Sequence, residues 1–203
     1  MRRKTFDSLV SAAGLLLVVV LLAAGGLLVW TSTYINNEVH TQLAAQKITF
    51  PAANSAAVSA PEFQAMRQYG GQLMTTGAQA EVYADHFIAN HLEKIGGGKT
   101  YAQLSAESIA QPTNTALAAQ VETVFKGETL RGLLLNAYAF GTIGMIAGIA
   151  AIVSFIGAGL MLLLCLLGIL HARRVSPTEE LLHRDEGSPI EPIAPEALEP
   201  INV

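Results

Sequence analysis

An all-α membrane protein is predicted by three features of the sequence: two transmembrane helices extended outward as an antiparallel stalk, with a small helical extracytoplasmic domain. Two runs, residues 8–37 and 132–172, contain no Asp, Glu, Lys or Arg, and each exceeds the roughly 20 residues that cross a bilayer as helix. The chain between them shows helical apolar spacing broken by glycine and proline, and no convincing strand. Cations mark the outer ends of the two runs: Arg2, Arg3 and Lys4 before the first, Arg173, Arg174 and Arg184 after the second. The inner flanks offer Lys47, Lys126 and Arg131. The positive-inside rule then places both termini in the cytoplasm and the middle of the chain outside it. These two runs account for a composition of 51% hydrophobic and only 14% charged residues.

The expected divisions are a basic cytoplasmic N-terminus (1–8), a first transmembrane helix (9–30) and an extracytoplasmic helical domain with its stalk extensions (31–142). A second transmembrane helix (143–170) and an acidic, Pro-rich cytoplasmic tail (171–203) complete the chain. A basic start followed by the small residues Ala24, Gly25 and Gly26 also suits a cleavable export signal. The apolar core from Leu9 through Val29 is longer than such signals use and continues past the small residues, which favours a retained helix.

Beyond Trp30, the residues Ile35, Val39 and Leu43 recur every four positions among polar neighbours, so the first helix should run on to about Lys47. The second uncharged run of 41 residues is ~60 Å of helix against a hydrocarbon core of ~30 Å. Its first part, about residues 128–140, should therefore project outward. Trp30, Tyr34, Tyr138 and Phe140 then fall at the level of an outer aromatic belt.

Residues 48–59 read as loop. Pro61 opens a short helix closed by Gly70 and Gly71, and Thr75-Thr76-Gly77 precedes a longer one over about residues 78–95, with Val82, Tyr83, Phe87, Ile88, Leu92 and Ile95 inward. Gly96 to Gly98 end it, and Thr100 with Gln103 forms a capping box for the next helix. After the break at Gln111-Pro112-Thr113-Asn114, Leu117, Val121, Val124 and Phe125 give another inward face, and Gly127 is a candidate kink. In the tail, Ser176-Pro177-Thr178-Glu179 predicts a short helix, and the closely spaced prolines after residue 187 predict disorder or, less simply, a docking peptide.

Chemistry is sparse. Gly98-Lys99-Thr100 resembles the end of a phosphate-binding loop, but the position five before Gly98 is Glu93 and the preceding segment reads as helix, so helix-capping glycines explain the run and no nucleotide is expected. His86 and His91 are five apart, about 140° around an α-helix, which is the wrong spacing for two ligands of one metal. Glu81 and Asp85 share a face, as exposed helix carboxylates commonly do, without a nucleophile beside them. Cys165 lies within an apolar run and, as the only cysteine, forms no intramolecular disulfide. Neither span carries a core charge for ion or proton transfer.

A packing signal is clearer: Gly141, Gly144, Gly148, Ala151 and Ala158 follow alternating three-and-four spacing, a groove that admits another helix, from the first span or from a partner chain. His86, His91, Lys99 and Tyr101 remain as candidate contact positions on the outer domain. No catalytic, cofactor or metal residues are assigned.

Three segments resemble a known family: Tyr83 to Leu92 (YADHFIANHL), Gly98 to Tyr101 (GKTY) and Lys126 to Tyr138 (KGETLRGLLLNAY). They are similar to an actinobacterial family of uncharacterised two-span membrane proteins, often labelled aromatic ring-opening dioxygenase, over about residues 2–174. The resemblance implies the two-span architecture. The label implies an iron site of two histidines and one carboxylate, which His86 and His91 do not form on one helix; His40 or His171 would have to join. The expectation is thus a non-enzymatic membrane protein that assembles or scaffolds a cell-envelope complex, as a homo-oligomer or with another membrane protein, without cofactor or nucleic acid. An extracytoplasmic sensor or ligand-binding protein is the alternative, and a metal-dependent enzyme the third.

Overall fold

The computed structural model describes residues 3–174. The tail features expected from Ser176 onward lie outside the described residues. The described residues are predominantly helical, with no named strand among them: α1 (Arg3–Ala45), α2 (Gly77–Val82), α3 (Ala89–Gly96), α4 (Tyr101–Ala110) and α5 (Thr115–Arg174). Short 3-10 turns cover Ala56–Val58 and Pro61–Tyr69, and a π-helical stretch, Tyr83–Ile88, joins α2 to α3. Two of these helices, α1 and α5, are long and apolar enough to cross a membrane.

Residues 18–159 form one compact unit. Here α1 and α5 lie side by side in opposite directions. Ser154 donates to the carbonyl of Leu21 at 3.1 Å, and Ser32 donates to that of Gly144 at 2.7 Å. Small residues allow this approach: a Cβ on Gly148 would come 3.0 Å from Ser32 Oγ, one on Gly144 3.1 Å from Ile35, and one on Gly25 2.9 Å from the Phe155 ring. Ala151 and Ala158 are buried. At Gly144 and Gly148 the small-residue groove of α5 is therefore occupied by α1 of the same chain.

Further along the same two helices, Val39 and Leu43 of α1 and Leu134 of α5 join Phe50, Val58, Phe63, Met66, Met74, Ala80, Ala84, Ile88 and Leu92 in one core. The intervening segment has too few large apolar residues for a core of its own, and burying them against the long helices supplies the missing surface. A single antiparallel bridge, Thr49 with Leu73, pins the loop before the core, reinforced by Met74 N–H donating to the carbonyl of Ile48 at 2.8 Å.

The helix ends follow their local chemistry. Thr76 and Thr100 each close a capping box, with Gln79 and Gln103 respectively. Gln79 is nearly buried, and its side-chain oxygen accepts from the backbone of Thr75 and Thr76 at 2.7 and 3.1 Å. At the end of α3, Gly97 takes a left-handed conformation (φ 60°), and Gly98 N–H returns to the carbonyl of Glu93 at 2.9 Å. Asn114 caps α5 by accepting from Leu117 N–H at 3.0 Å.

Three expectations need correction. Gly127 does not separate two helices: α5 runs on through it, and Leu92 packs where a Gly127 side chain would be. Ile95 and Phe125 are largely exposed rather than inward. The longer helix over residues 78–95 is not uniformly α, since its middle widens to the π form.

The second unit comprises residues 1–17 and 160–203. In its described part, Cys165 is buried against Gly14, and Gly168 lies beside Ser11.

Candidate functional site

Pro61 presets the first turn of the 3-10 segment, and Arg67 fixes the chain that enters it. The Arg67 guanidinium donates from Nε to the carbonyl of Val58 at 2.9 Å and from one terminal nitrogen to those of Ser59 and Ala60 at 2.6 and 3.3 Å. Phe63 and Met66 point into the core from this segment. Its opposite face, Glu62, Gln64 and Gln68, borders an open cleft of about 710 Å³ whose other wall is His86 and Asn90.

The π stretch positions that wall. Tyr83, Phe87 and His91 stack in sequence, with centroids 4.8 Å apart for the first pair and 4.3 Å for the second, and Phe50 meets Tyr83 edge-on at 5.4 Å. Phe63 packs against Phe87 and His91 at 6.3 and 5.9 Å. With Tyr83 and Phe87 packed against the core and His91 at the exposed end of the series, His86 and Asn90 line the cleft. Burial raises the Tyr83 hydroxyl above its usual range.

Both histidines carry a defined hydrogen bond. His86 Nδ1 lies 3.1 Å from the carbonyl of Glu62, and His91 Nδ1 lies next to that of Phe87 at 2.6 Å. A carbonyl only accepts, so Nδ1 carries the proton in each ring, and Nε2 of the neutral ring is left as a lone pair. Asn90 donates to the carbonyl of His86 at 2.6 Å, and Gln68 to that of Ala65 at 3.0 Å. Lys94 sits 3.3 Å from the Glu62 carboxylate and 5.4 Å from the centre of the Phe63 ring.

No protein-family model, curated protein or solved structure matches the chain. The functional reading therefore rests on its own residues. Among the described residues there is no group of three or more His, Cys, Asp or Glu placed to hold a metal ion. Of Glu81 and Asp85, Asp85 is joined to Arg131 at 2.8 Å. Lys99 is bound to Glu107 at 2.7 Å, and Tyr101 stacks on Phe125 at 5.5 Å. The first contact ties the turn after α3 to α4, and the second joins α4 to α5.

A second concavity, an apolar groove of about 260 Å³, runs along α1 and α5 beside Ile35, Val39 and Ala137, with Tyr34 and Phe140 at its margins. Both aromatic side chains are more than half exposed. Close by, Gly141 of the small-residue series meets Gly77, the first residue of α2, rather than α1. The sequence singled out His86 but not Glu62 or Gln68, since nothing in helical periodicity joins residues 62 and 68 to residue 86. The aromatic series at 83, 87 and 91 was the available signal for which face of that helix turns outward.

Proposed function

We propose that the chain is an integral protein of the cell membrane, with both termini cytoplasmic and the helical region between the spans outside. On this reading it works as an accessory or scaffold component of an envelope complex, binding a membrane partner or a second copy of itself through contact rather than catalysis. The observation that carries the reading is the apolar groove flanked by the exposed Tyr34 and Phe140. It stays open with α1 already packed on Gly144 and Gly148 of α5. A surface of that kind, at the expected level of the aromatic belt, suits a partner's helix or chain segment.

The test is extraction in mild detergent followed by pull-down and mass spectrometry, with Ala137→Trp as the groove-filling variant. Capture of a defined membrane partner, or of a second copy, by the wild type and its loss in the variant is the expected result. Equal recovery by both proteins, or no partner at all, would count against the proposal.

A second reading is favoured by a different observation. Helix α5 runs without a break from the outer domain through the apolar segment for 60 residues, a connection through which an event in the domain can reach the other side of a membrane. A sensor or ligand-binding protein would use that connection.

A further inference from the structure

The cleft between the Pro61–Tyr69 segment and the π stretch is lined by amides and an imidazole whose hydrogen-bonding capacity is only partly used within the described protein. Two of its amides each direct one of their two N–H donors at a nearby carbonyl: Asn90 Nδ2 to that of His86, Gln68 Nε2 to that of Ala65. His86 spends its one N–H on the carbonyl of Glu62. What these three side chains leave unbonded is Asn90 Oδ1, Gln68 Oε1 and His86 Nε2 as acceptors, together with the second N–H of each amide as a donor. Gln64 lies on the same rim and makes no hydrogen bond within the described protein.

Charge narrows the choice of ligand. Glu62 is the one carboxylate on the cleft, and Lys94 already neutralises it at 3.3 Å. No Lys or Arg lines the cleft to attract an anion, and the paired Glu62 leaves little net field to attract a cation. Pro61 and Ala65 add an apolar strip beside the acceptors. The matching ligand is neutral, presents several hydroxyls that both donate and accept, and has a C–H face to lay against that strip.

We infer that this cleft is a binding site for a neutral saccharide, whose hydroxyls donate to His86 Nε2, Asn90 Oδ1 and Gln68 Oε1 while its ring covers Pro61 and Ala65. The inference stands apart from the scaffold reading, because it concerns a different surface and holds whether or not the apolar groove takes a partner.

The experiment uses the full chain in a detergent without a sugar headgroup and follows binding of cellobiose by saturation-transfer NMR and titration calorimetry, with putrescine as the cationic comparison. Two variants accompany it: His86→Phe, which removes the lone pair, and Gln64→Ala, which removes an exposed side chain with no structural bond. Circular dichroism checks that each retains its helix. The expected result is saturable cellobiose binding, weakened about tenfold by His86→Phe, the loss of roughly one hydrogen bond. Gln64→Ala should weaken it measurably, and putrescine should not compete. Absence of saturable binding, unchanged affinity in both variants, or binding of putrescine in preference to cellobiose would overturn it.

Discussion

Ser32 and Gly148 show how little space separates the two long helices. Ser32 donates to the carbonyl of Gly144 at 2.7 Å, and a Cβ on Gly148 would stand 3.0 Å from the same hydroxyl. Gly148→Ala must push that hydroxyl aside, and Gly148→Leu must part the helices. Overpacking of this kind costs about 1–3 kcal/mol, so thermal unfolding in detergent should show a modest loss for alanine and a larger one for leucine. Glu62 offers a residue-level test in water. Its own backbone N–H, and after it Lys94, hold its carboxyl below the ordinary value of 4.5. A depressed folded value means the contact contributes above the unfolded value and is lost as pH falls through the folded one, so the window lies below 4.5. In a carbon-detected NMR titration, Lys94→Met should raise the Glu62 midpoint yet leave it below 4.5, because the backbone donor remains.

At the scale of elements, glycine has two opposite roles within α5. Gly127 is covered by Leu92 of α3, while Gly132 has no atom near the position its side chain would take. Gly127→Val should destabilise the domain by about 1–3 kcal/mol and speed hydrogen exchange over α3. Gly132→Ala should stabilise it by up to about 1 kcal/mol, through helix propensity alone. The sequence marked Gly127 as a break because a glycine between two helical patterns usually signals one; it could not show that Leu92 arrives there from another helix. Both capping boxes were legible or nearly so, Thr100 with Gln103 outright and Thr76 by its place before Gly77, since their chemistry is local. The π stretch was not, because the pattern of Val82, Tyr83, Phe87 and Ile88 is equally compatible with an α-helix when tertiary partners are unknown. That gap also hid the cleft: the contact from His86 to the carbonyl of Glu62 spans 24 residues and depends on how the Pro61–Tyr69 segment folds back.

For the whole molecule, charge-free length was the strongest signal in the chain, and both apolar helices are present as α1 and α5. The exposed Leu, Ile and Val side chains along them are expected of surfaces that meet lipid. The topology proposed here turns on the cations at the ends of these helices, and the lone cysteine makes it accessible to experiment. With Cys165 replaced by alanine, a single cysteine is introduced at Glu93, an exposed position at the end of α3, and intact cells are treated with a membrane-impermeant maleimide. A protein with both termini cytoplasmic and its helical domain outside is labelled at once at position 93. Labelling that appears only after the cells are permeabilised would place the domain in the cytoplasm and contradict the account.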